Sequence, residues 1–301
     1  MNNNKIISDT SDDKLNTENK NDTQDIKYKT KLVLSGGGIK GIAHIGCLYA
    51  LDKIKCLDKI TDFSGTSVGS LIMSLYVLGY TPSELYDFIK LFNLAKLKNI
   101  SIMNINLFGL DTGSRIEYVI KRLIKGKTSK EDITLQELYE IKKKNMTFTT
   151  FCLNTMEVVY ISHTTHPDIP LYLAIRMSIS IPFIYCPVEY KGYYYVDGGI
   201  FDNYPINIFK NEINNTIGIL LVDSKDVIEK INDLETYVLR VIQSMMIGMS
   251  INSKNGYENN TVEVHVESIN IVNYEINEEM KDELFIKGYK SIMNQLDKIR
   301  I

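Results

Sequence analysis

Gly65-Thr66-Ser67-Val68-Gly69 lies between an apolar run, Ile60 to Ser64, and a second one, Val68 to Tyr80. A G-x-S-x-G stretch between a strand and a helix is the pattern of a nucleophile elbow. The serine is pushed out of the end of the sheet. Gly65 and Gly69 permit the sharp bend, and Thr66 and Val68 complete the pentapeptide. Two further glycine-rich stretches give it context: Gly36-Gly37-Gly38-Ile39-Lys40-Gly41 upstream and Asp197-Gly198-Gly199 downstream.

The upstream stretch fits G-x-G-x-x-G between a short strand, Lys31–Leu34, and an apolar helix, Ile42–Leu51. Such a loop can bind a dinucleotide or form an oxyanion hole from its backbone N–H groups. Dinucleotide binding needs an acidic residue about 20 positions on, closing the second strand. Here that strand closes on Gly65-Thr66-Ser67, and Asp62 lies too early. The oxyanion reading therefore fits better. Lys40 adds positive charge at the helix start.

A serine nucleophile needs a base. The chain has four histidines: His44, His163, His166 and His265. None stands at a strand end beside a glycine turn. Asp197 does, after Tyr193–Val196, and Gly198 and Gly199 let its turn pack closely. A Ser67–Asp197 dyad is the better fit.

These three motifs, in this order, resemble the patatin-like phospholipase family. The segments Ser178-Ile179-Ser180-Ile181-Pro182-Phe183 and Asn203-Tyr204-Pro205 strengthen the likeness, which covers about Leu32 to Lys210. The resemblance implies an α/β fold with a central, mostly parallel sheet flanked by helices, related to α/β-hydrolase architecture. It implies Ser67 as nucleophile, Asp197 as proton acceptor, and Gly36, Gly37, Gly38, Ile39, Lys40 and Gly41 as the oxyanion loop. It also implies a membrane-lipid substrate, peripheral membrane contact, and no cofactor or metal. The competing expectation is a catalytically silent lipid-binding or regulatory protein on the same fold.

The remaining sequence agrees. Of 301 residues, 44% are hydrophobic and 24% charged, as in a globular chain, and the net charge of −3 argues against a nucleic-acid partner. Residues 1–30 are polar and without an apolar leader core, so they read as a disordered tail. A catalytic domain is expected over 31–210, with 211–301 continuing on the same domain. No apolar run reaches the roughly 20 residues that span a bilayer, so a cytoplasmic or membrane-peripheral location is expected. Cys47, Cys56, Cys152 and Cys186 lie in apolar segments and read as buried thiols.

Two expectations concern local detail. The helix from Ser114 should end at Gly126. The stretch Ile100 to Leu110 reads as ordinary core, or alternatively as a lid or docking edge in which Leu107 and Phe108 flank Ser67.

Overall fold

The computed structural model describes residues 29–223, 230–266 and 276–296. The expected polar tail therefore falls outside the described residues except at Lys29 and Thr30. So does the end of the strand expected at Val262–Ile269.

The sheet is built around β1 (Lys31–Leu34), a fully buried tetrad. It pairs in parallel with β2 (Asp62–Thr66) on one side and β9 (Thr216–Asp223) on the other. The unbroken apolar run in β9 suits a strand covered on both faces. β10 (Thr261–Val266) extends the parallel side beyond β9, and β4 (Asn145–Cys152) extends it beyond β2. Three antiparallel strands complete the sheet: β5 (Glu157–Ile161), β7 (Val188–Tyr190) and β8 (Tyr193–Asp197). The sheet is mixed but mostly parallel. A separate parallel pair joins β3 (Gly109–Asp111) to β6 (Phe183–Tyr185).

The helices follow local chemistry. α1 (Ile42–Lys53) leaves the glycine loop and is buried along most of its length. α2 (Val68–Leu78) follows the elbow serine. α3 (Pro82–Leu91) opens on a capping box, in which Thr81 Oγ1 accepts the Glu84 N–H and Glu84 accepts the Thr81 N–H. α4 (Ser114–Thr128) buries Ile116, Ile120 and Ile124, one turn apart, along a single face. α5 (Leu135–Lys142) repeats the capping box at Thr134. α6 (Leu171–Ile179), α7 (Leu234–Lys254) and α8 (Glu278–Asn294) complete the set among the described residues. None is long and apolar enough to cross a membrane.

Three sequence expectations change. Gly126 does not end α4; the left-handed cap falls at Ser129, φ 63°, and Gly126 sits where the Tyr80 hydroxyl comes close. β2 ends at Thr66 rather than Ser64, because pairing Lys31 with Asp62 carries the strand to Gly65 opposite Leu34. The segment Ile102–Leu107 is not core: it forms a 3₁₀ turn with no buried residue, and Phe108 after it is 65% exposed.

Candidate active site

Ser67 joins β2 to α2 with φ 54° and ψ −126°. A non-glycine residue at positive φ is strained and persists only where its surroundings hold it. Here they do. The Ser67 N–H donates to Ser178 Oγ at 3.0 Å. Ser178 Oγ donates in turn to the Thr149 carbonyl at 2.7 Å and contacts Ser70 Oγ at 2.8 Å. Ser70 Oγ donates to the Gly65 carbonyl, closing the bend from inside. The two motif glycines are steric necessities. A Cβ on Gly65 would lie 2.7 Å from the Gly69 backbone, and one on Gly69 would lie 2.3 Å from the Leu34 carbonyl.

Asp197 ends β8 and is almost wholly buried. Its Oδ1 accepts the Gly199 N–H at 2.8 Å. Burial pushes its carboxyl up to about 7, opposed by the Ser67 hydroxyl and the Gly199 N–H. Ser67 thus faces the carboxylate, yet Oδ2 makes no hydrogen bond of ordinary length among the described residues. Such loose spacing is common before a substrate aligns a nucleophile and its base.

The glycine loop lies against the same point. The Gly36 N–H donates to the Asn203 carbonyl at 2.9 Å, and the Lys40 N–H to the Gly37 carbonyl at 3.2 Å. Among the described residues the Gly37 and Gly38 amides donate to nothing. Gly38 has φ 56° and borders the cavity that holds Ser67. Lys40 does not face solvent. It is buried and paired with Asp223 at the end of β9; burial lowers its pKa and Asp223 opposes that.

Among the described residues no histidine is hydrogen-bonded to Ser67 or Asp197. His44 is buried, with Nε2 at 2.8 Å from the Ser35 carbonyl, and burial lowers it to about 4. His163 stacks on Tyr139, His166 contacts Thr165, and His265 is exposed beside Glu263.

Ser67 opens into a cavity of about 120 Å³ between α2, α3 and α4. Apart from Ser67 and the Tyr185 phenol, the side chains lining it are hydrocarbon, Leu71, Phe88 and Ile120 among them.

The model of the family described as patatin-like phospholipase matches residues 32–210, more than half of the chain. The chain belongs to the patatin-like phospholipase family. Its activity class is that of the family, lipid acyl hydrolysis. An uncharacterised protein of Acanthamoeba polyphaga mimivirus is 29% identical over 282 residues, covering 89% of this chain and 94% of its own. A probable lipid hydrolase of Invertebrate iridescent virus 6 is 34% identical over 188 residues, covering 60% of this chain and 63% of its own. A lysophospholipase of Candida albicans is 27% identical; the match spans 60% of this chain but 12% of that much longer one. Among solved structures, VipD from Legionella pneumophila superposes with a TM-score of 0.60 at 18% identity, over 90% of this chain and 67% of that one. That likeness concerns the fold.

Two features of this patatin-like site were not assigned a role from sequence. Ser178 and Asn203 were visible only as parts of family-like segments. Their signal is three-dimensional: Ser178 bonds the elbow amide, and Asn203 holds Gly36 through its carbonyl while its Nδ2 donates to Ser250 on α7 at 2.9 Å.

Proposed function

We propose that Ser67 is the nucleophile and Asp197 the general base of this lipid acyl hydrolase, with the Gly37 and Gly38 amides receiving the oxyanion. The observation that carries the assignment is the placing of Ser67: one side faces a buried carboxylate poised near neutrality, the other an apolar cavity. A fatty acyl chain in that cavity brings its ester carbonyl to the serine.

Ser67 Oγ attacks the carbonyl carbon and its proton passes to Asp197. The carbonyl oxygen gains the electron pair and is held by the glycine-loop amides. As the tetrahedral intermediate collapses, the ester C–O bond breaks, and Asp197 returns the proton to the departing alcohol or lysolipid oxygen. Water then attacks the acyl-enzyme, giving its proton to Asp197. The acid is released and Ser67 takes the proton back. The acyl cavity and the family together support a membrane glycerolipid or related ester as substrate.

The test is hydrolysis by the purified full chain of a short-chain nitrophenyl ester and of phospholipid in mixed micelles, with products identified by mass. Loss of both in Ser67→Ala, with folding intact, supports the assignment. Full activity in Ser67→Ala rejects it. Absence of activity in the wild type favours a silent lipid-binding protein.

A further inference from the structure

We propose that the loop Ile100–Phe108, together with Phe183, docks this protein on a lipid surface carrying anionic headgroups. The inference rests on the acyl hydrolase reading, because the docking face adjoins the cavity of Ser67.

The loop leaves its hydrocarbon outside. Two of its polar side chains close on its own backbone: Asn104 Nδ2 donates to the Leu110 carbonyl at 3.0 Å, and Ser101 Oγ accepts the Met103 N–H, while Asn106 is exposed. The Ser101 N–H also donates to the Leu110 carbonyl at 2.8 Å, tying the loop's two ends together. Its apolar side chains turn outward, from 50% exposed at Ile100 to 80% at Met103. A patch of this kind marks an interaction surface.

Two phenylalanines extend it. Phe108 precedes β3 and Phe183 opens β6, so both stand at the same end of this parallel pair, where Gly109 is in register with Phe183. Both hold left-handed backbone conformations, φ 64° and 66°, and both are about two-thirds exposed. Bulky residues in that region are strained. The fold sustains the strain twice, at neighbouring positions, and so presents two aromatic rings to the outside. Phe108 rests edge-on against Tyr194 at 6.0 Å. Ile181 and Tyr185, each two residues from Phe183, line the Ser67 cavity. The outer patch and the inner cavity are thus continuous through one short segment.

Charge selects the occupant. From Phe92 to Leu110 there is no acidic residue, while Lys96 and Lys98 stand beside the loop. Arg115 reaches the same place, its Nη1 donating to the Lys98 carbonyl at 2.5 Å. The next acid, Asp111, is buried and accepts the Asn99 and Gly113 amides. An apolar face rimmed by cations suits insertion among anionic headgroups. Two copies meeting through this face would bring like charges together.

The test uses the full chain in flotation with phosphatidylcholine vesicles, with and without one part in three phosphatidylglycerol. Wild type should bind the mixed vesicles preferentially. Ile102→Ser with Met103→Ser, and Phe108→Ser with Phe183→Ser, should each weaken binding by about tenfold or more. Both should leave short-chain ester hydrolysis unchanged, and the first pair should leave the melting temperature unchanged. Lys96→Glu with Lys98→Glu should abolish the preference for anionic vesicles. Ser67→Ala should still bind vesicles, so failure of the catalytic assignment leaves this result standing. Wild-type binding in both apolar variants overturns the proposal. So does equal binding of the wild type to neutral vesicles, and so does a dimer that the apolar variants dissociate in the absence of any vesicle binding.

Discussion

Ser67 and Asp197 stand where two strands running toward each other end along one edge of β4: Thr66 pairs with Thr149, and Asp197 with the next residue, Thr150. β5 occupies the opposite edge of β4 through this stretch, so β2 and β8 share one side. The meeting of the two residues is therefore set by sheet register, not by a flexible loop. A slip of either strand would part them.

The first expectation concerns pH. Asp197 acts as a base only when ionised, and burial raises its carboxyl to about 7. For a soluble ester, kcat/KM should climb about tenfold per pH unit below neutrality and level off above it. A profile flat from pH 5 to 8 would remove Asp197 from the mechanism.

Asp197→Asn should lower the rate by roughly 10²–10⁴. It should also stabilise the fold under the right conditions. A carboxyl whose folded pKa is raised contributes full stability below its unfolded value, near 4, and loses it as pH rises through about 7. At pH 8 the variant should be more stable by on the order of 1–4 kcal/mol; near pH 4 the difference should vanish. Urea titrations at both pH values check this, and equal stability of the two proteins at pH 8 would contradict it.

Gly38→Ala should damage catalysis more than folding. The residue has φ 56° and an amide that donates to no described group. A methyl group strains that conformation by about 1 kcal/mol. Displacing one oxyanion donor costs about 10²–10³ in kcat. The measurement is kcat alongside the melting temperature.

Leu71 lies one helical turn beyond Ser67 and lines the cavity. Leu71→Phe should narrow the acyl site near its mouth. The ratio of kcat/KM for a decanoyl over an acetyl nitrophenyl ester should fall by about tenfold or more, within the 1–3 kcal/mol that one methylene in a pocket controls. An unchanged ratio would place the chain elsewhere.

Much of this was legible in the sequence because local chemistry carried it. Glycines were required at Gly65 and Gly69 by backbone contact, and capping boxes marked the starts of α3 and α5. Lys191-Gly192 is a local signal of the same kind between β7 and β8, and both residues adopt positive φ. What escaped depends on distant partners. Ser178 is 111 positions from the amide it holds. The β3–β6 pair joins two three-residue strands too short to show periodicity. Ile100–Leu110 is apolar in composition, and composition alone does not distinguish a buried segment from one turned outward.

The family match ends at residue 210, but the support behind Ser67 and Asp197 does not. Asp223 neutralises Lys40, Gln243 donates to Asp223 at 3.3 Å, Ser250 holds Asn203, and Met246 lies against Gly199. A fragment trimmed to the recognised boundary would forfeit β9 beside β1 and leave a buried ammonium without its counter-ion. The minimal unit for expression, or for transplanting this chemistry into another scaffold, is therefore longer than the stretch by which the family is recognised.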